Sequence, residues 1–135
     1  MTIKPLPPSR INVVGALIQS GKAVLIAQRA TGELAGKWEF PGGKVDVGES
    51  LLEAARRELA EELSISTNHI GRTLFSALDD DARFEIHFVE VEIEGDPVPH
   101  EHSEVGWFTQ LELERLPLAP ADAEFVRKLG GSDQL

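Results

Sequence analysis

The stretch "GGKVDVGESLLEAARRELAEEL", from Gly42 to Leu63, decides the fold of this chain. It begins with two glycines and continues through Ser50 and Glu53, which have the spacing of a capping box. It ends in a segment crowded with carboxylates. We therefore predict a helix from about Ser50 to Ser64. Like charges one turn apart destabilise an isolated helix, so such a cluster of glutamates needs an explanation.

The predicted helix has an apolar stripe and an adjacent acidic stripe when its residues are placed at about 100° per position. Glu58, Glu61 and Glu62 form the acidic stripe and can converge on one point. Arg57 lies one turn from Glu53 and from Glu61, so it can offset part of the repulsion. The apolar stripe, which we expect to face the core, consists of Leu52, Ala55, Leu59 and Leu63.

Two interpretations of the acidic stripe compete. A charge run is usually a solvated face, and on the helix alone this interpretation is favoured. Alternatively, the stripe is an oxygen-ligand site for Mg²⁺ or Mn²⁺. The preceding "FPGGK" favours the second interpretation, because we read it as a glycine-rich loop that admits a ligand close to the backbone. Lys44 beside it suits a phosphate group.

The spacing of the whole stretch resembles the signature of the Nudix hydrolase family. Gly43 is followed after five residues by Glu49, then after seven residues by "RELAEELSI", from Arg57 to Ile65. The family signature has glycine at the position of Ser64. That glycine closes the helix, so we expect the serine to affect the helix cap and not the ligands.

The resemblance implies a role for each matching residue. Glu49 and Arg57 would form an orienting salt bridge, and Gly43 and Lys44 would face the phosphates of a substrate. One of the helix glutamates would help to activate water. The implied ligands of the divalent metal are Glu58, Glu61, Glu62 and the carbonyl of Gly42.

The segments "LIAQR" and "GKWEFPGGK" resemble the MutT-like branch of this family, which includes 8-oxo-dGTP diphosphatases. In that branch Arg29 would contact phosphate, and Glu39 and Phe40 would lie along the nucleoside pocket. From the residues alone, Arg29 is an ordinary surface strand residue and Phe40 is a core residue.

Two carboxylates outside the helix, Glu101 and Asp122, are further candidate site residues. Glu101, in "PHEHSEVGW", resembles the late-loop carboxylate of the family, which reaches the metals and can be the general base. The alternative is an exposed loop glutamate, and we expect His100 and His102 beside it to be plain loop histidines. Asp122, in "PLAPAD", falls in the first turn of the last predicted helix, where acids are common.

Asp122 bears on the identity of the base. Many 8-oxo-dGTP enzymes of this branch have asparagine at this position, whereas the "PLAPAD" string resembles members directed at CTP or dCTP. An ionised aspartate only accepts hydrogen bonds, and both cytosine and 8-oxoguanine offer donors.

The rest of the chain predicts the architecture. We expect one domain over residues 1–135, with residues 1–10 as a leader. We expect a hairpin of residues 11–18 and 23–29, a turn at "DDDAR", a long loop over residues 94–104 and a short strand after it. Strands on both sides of a central helix indicate an α+β fold, a mixed β-sheet between helices. This matches the Nudix-type α/β/α sandwich that the resemblance implies.

Composition limits the function classes. The chain has 135 residues, a net charge of −10 and no cysteine. We expect no nucleic-acid partner, no membrane span and a cytoplasmic protein, either a monomer or a homodimer. The favoured function is a Mg²⁺-dependent pyrophosphohydrolase acting on 8-oxo-dGTP or a related small-molecule nucleotide. The alternatives are CTP, dCTP or 5-methyl-dCTP as substrate, or a nucleotide-sensing domain without hydrolysis.

Overall fold

The computed structural model describes residues 10–79 and 82–131, which form eight strands and three helices. The strands are β1 (Ile11–Leu17), β2 (Gln19–Ser20), β3 (Ala23–Arg29), β4 (Trp38–Glu39), β5 (Gly42–Lys44), β6 (Ser66–Leu78), β7 (Phe84–Glu94) and β8 (His102–Phe108). The helices are α1 (Leu51–Leu63), α2 (Gln110–Leu113) and α3 (Pro120–Gly130).

The strands form two sheets. The first has the order β5-β1-β7-β6, and it is mixed because β1 pairs with β7 in parallel while its other pairs are antiparallel. The second is antiparallel, with β3 at its centre paired to β2, β4 and β8. The predicted mixed sheet is confirmed, and the second sheet is an addition to it.

The first sheet lies between two apolar layers, which gives the predicted sandwich. On one face, Val14 and Val89 pack against Ala55 and Leu59 of α1. On the other face, Phe88 stacks on Phe125 of α3 with ring centroids 4.4 Å apart. The α+β fold class is therefore confirmed.

Helix α1 follows its sequence signals closely. Ser50 is the N-cap, and both hydrogen bonds of the capping box with Glu53 are present. The apolar face differs from the predicted stripe in one respect, because Ala54 is fully buried whereas Leu52 is only partly buried. Glu53 is engaged in the cap, so it does not pair with Arg57 as expected.

Three other predictions need correction. The hairpin is formed by β2 and β3, since the chain leaves the first sheet after β1 and enters the second. Residues 42–44 are not a loop but strand β5, paired with β1. The late loop is shorter than predicted, because β8 already begins at His102. Most of the predicted leader (residues 1–9) and part of the "DDDAR" turn (residues 80–81) lie outside the described residues. No helix in the described part of the chain is long and apolar enough to cross a membrane.

Candidate active site

A cavity of about 780 Å³ opens between β5, the end of α1 and the start of α3. It brings together predicted site residues that are up to 93 positions apart in the chain, from Arg29 to Asp122. The predicted site residues that line it are Arg29, Glu39, Phe40, Gly42, Gly43, Lys44, Glu62 and Asp122. The cavity therefore collects the predicted substrate-binding residues, together with two predicted metal ligands, Gly42 and Glu62.

The two glycines of β5 are there because other groups occupy the space of a side chain. Gly42 has φ +150°, and a Cβ added to it would overlap the carbonyl oxygen of Val14 on β1. A Cβ on Gly43 would overlap the carboxyl group of Glu58. The first glycine thus allows β5 to pair with β1, and the second allows the acidic helix to lie directly against the strand.

Arg57 organises the charges around α1. Its guanidinium donates two hydrogen bonds of 2.8 Å to Glu49 and one of 2.7 Å to Glu58. It also donates to the carbonyl of Lys44 over 2.9 Å. The hydrogen bonds from Arg57 lower the pKa of Glu49 to about 2. The predicted pair of Glu49 and Arg57 is thus present, and it ties the helix to the segment between β5 and α1.

The three helix glutamates have different environments. Glu58 lies against Gly43 and accepts from Arg57. Glu61 has a side chain that is 58% exposed, with an oxygen 3.7 Å from Arg57. Glu62 is only 7% exposed, although charged residues are rarely buried without a partner.

Glu62 is the most perturbed of them. Its Oε2 is buried without a hydrogen-bond partner, while the Gly42 N–H hydrogen-bonds its carboxyl group. Burial, followed by the nearby charges of Glu58, Glu39 and Glu101, raises the pKa of Glu62 to about 9. A buried carboxyl group surrounded by other carboxylates is typical of a site that binds a cation.

The donor atoms present fit a hard divalent cation. Across residues 10–79 and 82–131, no three acidic or histidine side chains are arranged as a metal-binding group. Glu58 is paired with Arg57, and the side chain of Glu61 is largely exposed to solvent. However, Glu62 offers a buried and unpaired oxygen, and Glu58 and Glu101 lie close enough to repel its charge. All of these donors are carboxylate oxygens, which Mg²⁺ prefers.

A second charged cluster holds Glu39 at the cavity wall. One of its oxygens accepts from Arg29 Nε over 2.7 Å, and the other lies 3.1 Å from His102 Nε2. Burial opposes the ionisation of Glu39, but the hydrogen bonds from His102 and Arg29 outweigh it and lower its pKa. Because an ionised carboxylate only accepts, His102 Nε2 must carry the proton in this contact.

Sequence reasoning missed His102. The sequence predicts a plain loop histidine here, yet the side chain of His102 is 6% exposed and the residue lies at the start of β8. Its partner Glu39 is 63 positions away, so no local pattern links the two. Alternation along β8 does not mark it either, since Glu104, two positions later, is exposed.

Asp122 and Phe40 join α3 to the cavity. Asp122 Oδ1 accepts from the backbone N–H of Phe40 over 2.8 Å. Burial, opposed by this hydrogen bond, raises the pKa of Asp122 to about 7. The ring of Phe40 packs against the edges of the stacked rings of Phe88 and Phe125, so Phe40 is both a core residue and a lining residue.

The remaining predicted residues lie around the cavity. Arg29 has a side chain 43% exposed, and Lys44 is exposed with its Nζ 5.6 Å from the ring centroid of Phe84. Glu101 is exposed at the end of the loop before β8 and does not line the cavity. Its charge nevertheless reaches Glu62.

Comparison with known proteins decides the family, since the NUDIX domain matches residues 8–129. The chain belongs to the Nudix family. It is 37% identical over 135 residues to a Mycobacterium tuberculosis protein named putative 8-oxo-dGTP diphosphatase 2, covering 92% of this chain and 93% of the relative. It is also 39% identical over 116 residues to the CTP pyrophosphohydrolase of Escherichia coli, covering 83% and 85%.

The fold agrees with solved Nudix structures. The solution structure of the E. coli ORF135 protein superimposes with a TM-score of 0.80 at 34% identity, covering 97% of this chain and 99% of that one. The chain is therefore a Nudix hydrolase by family, and Nudix hydrolases in general require a divalent metal. The stretch from Gly42 to Leu63 that predicted the fold lies within the matched domain.

Proposed function

We propose that this protein is a Mg²⁺-dependent nucleoside triphosphate pyrophosphohydrolase, with residues 1–135 forming one domain. The observation that carries the proposal is the buried, unpaired carboxylate oxygen of Glu62 at the wall of a cavity that also contains Arg29 and Lys44. Arg29 and Lys44 can bind negatively charged phosphate groups, and the carboxylate of Glu62 beside them can bind a cation. This combination fits a phosphate substrate that is bridged to the protein by divalent cations.

Each part of the site has a proposed task. Glu58, Glu61, Glu62, Glu101 and the carbonyl of Gly42 would hold Mg²⁺, with Mn²⁺ as a substitute. When bound, the metal would stabilise charge on the phosphate oxygens and lower the pKa of a water molecule. Arg29, Lys44 and the backbone at Gly43 would bind the phosphate chain. Glu49 would hold Arg57, which keeps Glu58 against Gly43.

The reaction would begin with attack of water on the β-phosphorus. Glu101 or a helix glutamate would accept the proton of this water. The bond from the β-phosphorus to the oxygen that bridges the α-phosphorus would break, and that oxygen would leave with the nucleoside monophosphate. Pyrophosphate would be the second product.

The favoured substrate is 8-oxo-dGTP or a related oxidised nucleotide. The Mycobacterium tuberculosis relative, named as a putative 8-oxo-dGTP diphosphatase, supports it over nearly the full length. The end of the cavity that would receive the base is lined by Phe40 and Phe88 and by Asp122. Because the pKa of Asp122 is about 7, this carboxyl group can either donate or accept near neutral pH.

A cytosine nucleotide is the second candidate. The "PLAPAD" string and the 39% identity to the E. coli CTP pyrophosphohydrolase favour it. An ionised Asp122 would accept from the amino group of cytosine. The substrate would then be CTP, dCTP or 5-methyl-dCTP.

One activity panel tests these proposals. Purified protein with Mg²⁺ is given 8-oxo-dGTP, dGTP, CTP, dCTP, 5-methyl-dCTP and ADP-ribose at equal low concentration, and kcat/KM is measured for each. Hydrolysis in ¹⁸O-labelled water reports the point of attack, because attack on the β-phosphorus places the label in pyrophosphate. Label in the monophosphate would refute the proposed step.

The outcomes separate the candidates. Preference for 8-oxo-dGTP supports the first candidate, and preference for cytosine nucleotides supports the second. Binding of nucleotides without turnover would refute hydrolysis and favour a sensing domain. A contaminating hydrolase is excluded if Glu62→Gln, purified in the same way, loses the activity.

A further inference from the structure

The C-terminal end of α1 is capped by the loop that leads to β8. The carbonyl of Leu63 accepts from the N–H of Val98 over 2.8 Å, and the carbonyl of Glu62 accepts from the N–H of His100 over 3.0 Å. Carbonyls in the last turn of a helix have no partner within the helix. The loop therefore satisfies two of them, and it does so beside a residue of the candidate metal site.

Ser64 adds a side-chain contact to this junction. It is the C-cap of α1 and has a left-handed conformation, with φ 56° and ψ 34°. Glycine adopts this conformation without strain, and the Nudix signature has glycine here. Ser64 is less suited to the backbone, but its Oγ is hydrogen-bonded to Nε2 of His100 at 2.5 Å.

We propose that Ser64 and His100 are positioning residues that hold Glu101 beside the carboxyl group of Glu62. This inference rests on the proposed function, in which Glu101 acts at the metal site. Glu101 follows His100 directly and precedes His102, which is held by Glu39. It therefore lies between two histidines, each fixed to a different part of the site. The backbone N–H of His100, the residue before Glu101, donates to the carbonyl of Glu62 over 3.0 Å, so the backbone at Glu101 lies beside the last turn of α1.

Ser64→Gly separates this role from a purely structural one. It restores the residue best suited to the left-handed cap while removing the hydroxyl group, so the melting temperature should stay equal or rise. We expect the dissociation constant of Mn²⁺, measured by electron paramagnetic resonance without nucleotide, to increase about 3- to 10-fold, as one hydrogen bond of ordinary strength allows. We expect amide exchange at Val98 and His100, measured by NMR, to accelerate by a similar factor. If the protein is active, kcat should fall correspondingly.

Three further variants act as controls. His100→Ala should reproduce the effects of Ser64→Gly, and His100→Gln should restore part of the function, because its amide can reach the serine. The double variant Ser64→Gly/Glu101→Gln should bind Mn²⁺ as tightly as Glu101→Gln alone, because Ser64 acts on the metal only by positioning Glu101.

The chain also offers a matched Ser–His pair elsewhere. Ser76 Oγ lies 3.1 Å from Nδ1 of His87. His87 is on the opposite face of β7 from Ile86 and Phe88, which line the cavity. Ser76→Ala should leave Mn²⁺ affinity and the exchange of the loop amides unchanged.

The results distinguish the two proposals. If no nucleotide is hydrolysed, the proposed function fails, while Mn²⁺ affinity and amide exchange still test the positioning role. Unchanged Mn²⁺ affinity in Ser64→Gly overturns the inference. A melting temperature that falls together with Mn²⁺ affinity overturns it as well, because the contact would then only stabilise the fold.

Discussion

Glu62 lies at the point where α1 meets the cavity, and its burial has opposite consequences for folding and for the proposed chemistry. Only 7% of it is exposed, and three other carboxylates repel its charge. Burying an ionised group without a partner destabilises a fold. The same position makes its free oxygen available to a cation, which would remove the penalty.

We expect Glu62→Gln to stabilise the protein in EDTA while abolishing activity. The folded pKa of about 9 lies above the ordinary glutamate value of 4.5, so folding takes up a proton between these values. The stability of the unsubstituted protein should therefore fall as pH rises from about 5 to 9. Glu62→Gln removes this loss, so its free energy of unfolding at pH 8 should exceed that of the unsubstituted protein by roughly 1–3 kcal/mol. The same substitution should reduce kcat by about 100-fold or more.

Thermal or urea unfolding at pH 5 and pH 8, each in EDTA, measures this effect. The control variant is Glu61→Gln, because Glu61 lies on the same helix as Glu62 but its side chain is exposed. It should reduce activity without changing the pH dependence of stability. If Glu62→Gln is less stable than the unsubstituted protein at pH 8, the assignment of Glu62 as an uncompensated buried acid is incorrect.

At the scale of elements, β5 and α1 form one unit joined by Arg57. Gly42 and Gly43 permit close contact on both sides of β5, to β1 and to Glu58. Arg57 fixes the segment between β5 and α1 through Glu49 and the carbonyl of Lys44. The carboxylates of α1 are thereby placed against β5, a strand of the first sheet.

The two glycines should respond differently to alanine. In Gly42→Ala the new methyl group meets the backbone of β1 at a positive φ, so we expect a loss of about 3 kcal/mol or more in stability. In Gly43→Ala it meets only the flexible end of Glu58. Stability should then change by about 1 kcal/mol or less, while kcat falls by about 100-fold. Urea unfolding and kcat for both variants test this, and equal destabilisation would contradict it.

The Glu49–Arg57 pair predicts a specific acid sensitivity. The pKa of Glu49 is lowered to about 2, so its contribution to stability is complete above the ordinary glutamate value of 4.5 and is lost as pH falls towards 2. Glu49→Gln should therefore lower the melting temperature at pH 6 but have little effect at pH 2.5. Exposed Glu92 on β7 provides the control, because Glu92→Gln should shift the melting temperature little at either pH.

Elements that depend on nearby residues could be predicted from the sequence. Ser50, Glu53 and the position of Ser64 define α1 almost to the residue, because caps are local hydrogen bonds. The sequence predicts a loop at residues 42–44 because two glycines disfavour a strand, and only the pairing of β5 with β1 overrides this preference. The contact of His102 with Glu39 depends on the packing of β8 against β3, which no local signal encodes.

At the scale of the whole molecule, charge defines the problem of substrate binding. The chain has a net charge of −10, and its proposed substrate is also a polyanion. Arg29 and Lys44 line the cavity, but Glu39, Glu62 and Asp122 line it as well. Divalent cations would change the sign of this region and make association favourable.

Mg²⁺ should therefore stabilise the whole protein as well as activate it. We expect the melting temperature to rise with Mg²⁺ concentration, with a gain of about 2.7 kcal/mol at 100 times the dissociation constant. The gain should be largest at pH values above 7, where metal binding replaces the proton on Glu62. Differential scanning calorimetry with Mg²⁺ and with Na⁺ at equal ionic strength tests this, and equal shifts would indicate general screening only.

The cavity is built from two sets of elements that meet in space but are separate in the chain. Most of the proposed metal ligands lie in the continuous segment from β5 through α1, joined by Glu101 from the loop before β8, whereas Asp122 enters from α3, more than fifty positions after α1. If Asp122 reads the base as proposed, substitutions in the first turn of α3 would change the nucleotide accepted without disturbing the hydrolytic machinery. A scaffold divided in this way would let the substrate diverge through changes at a single helix end.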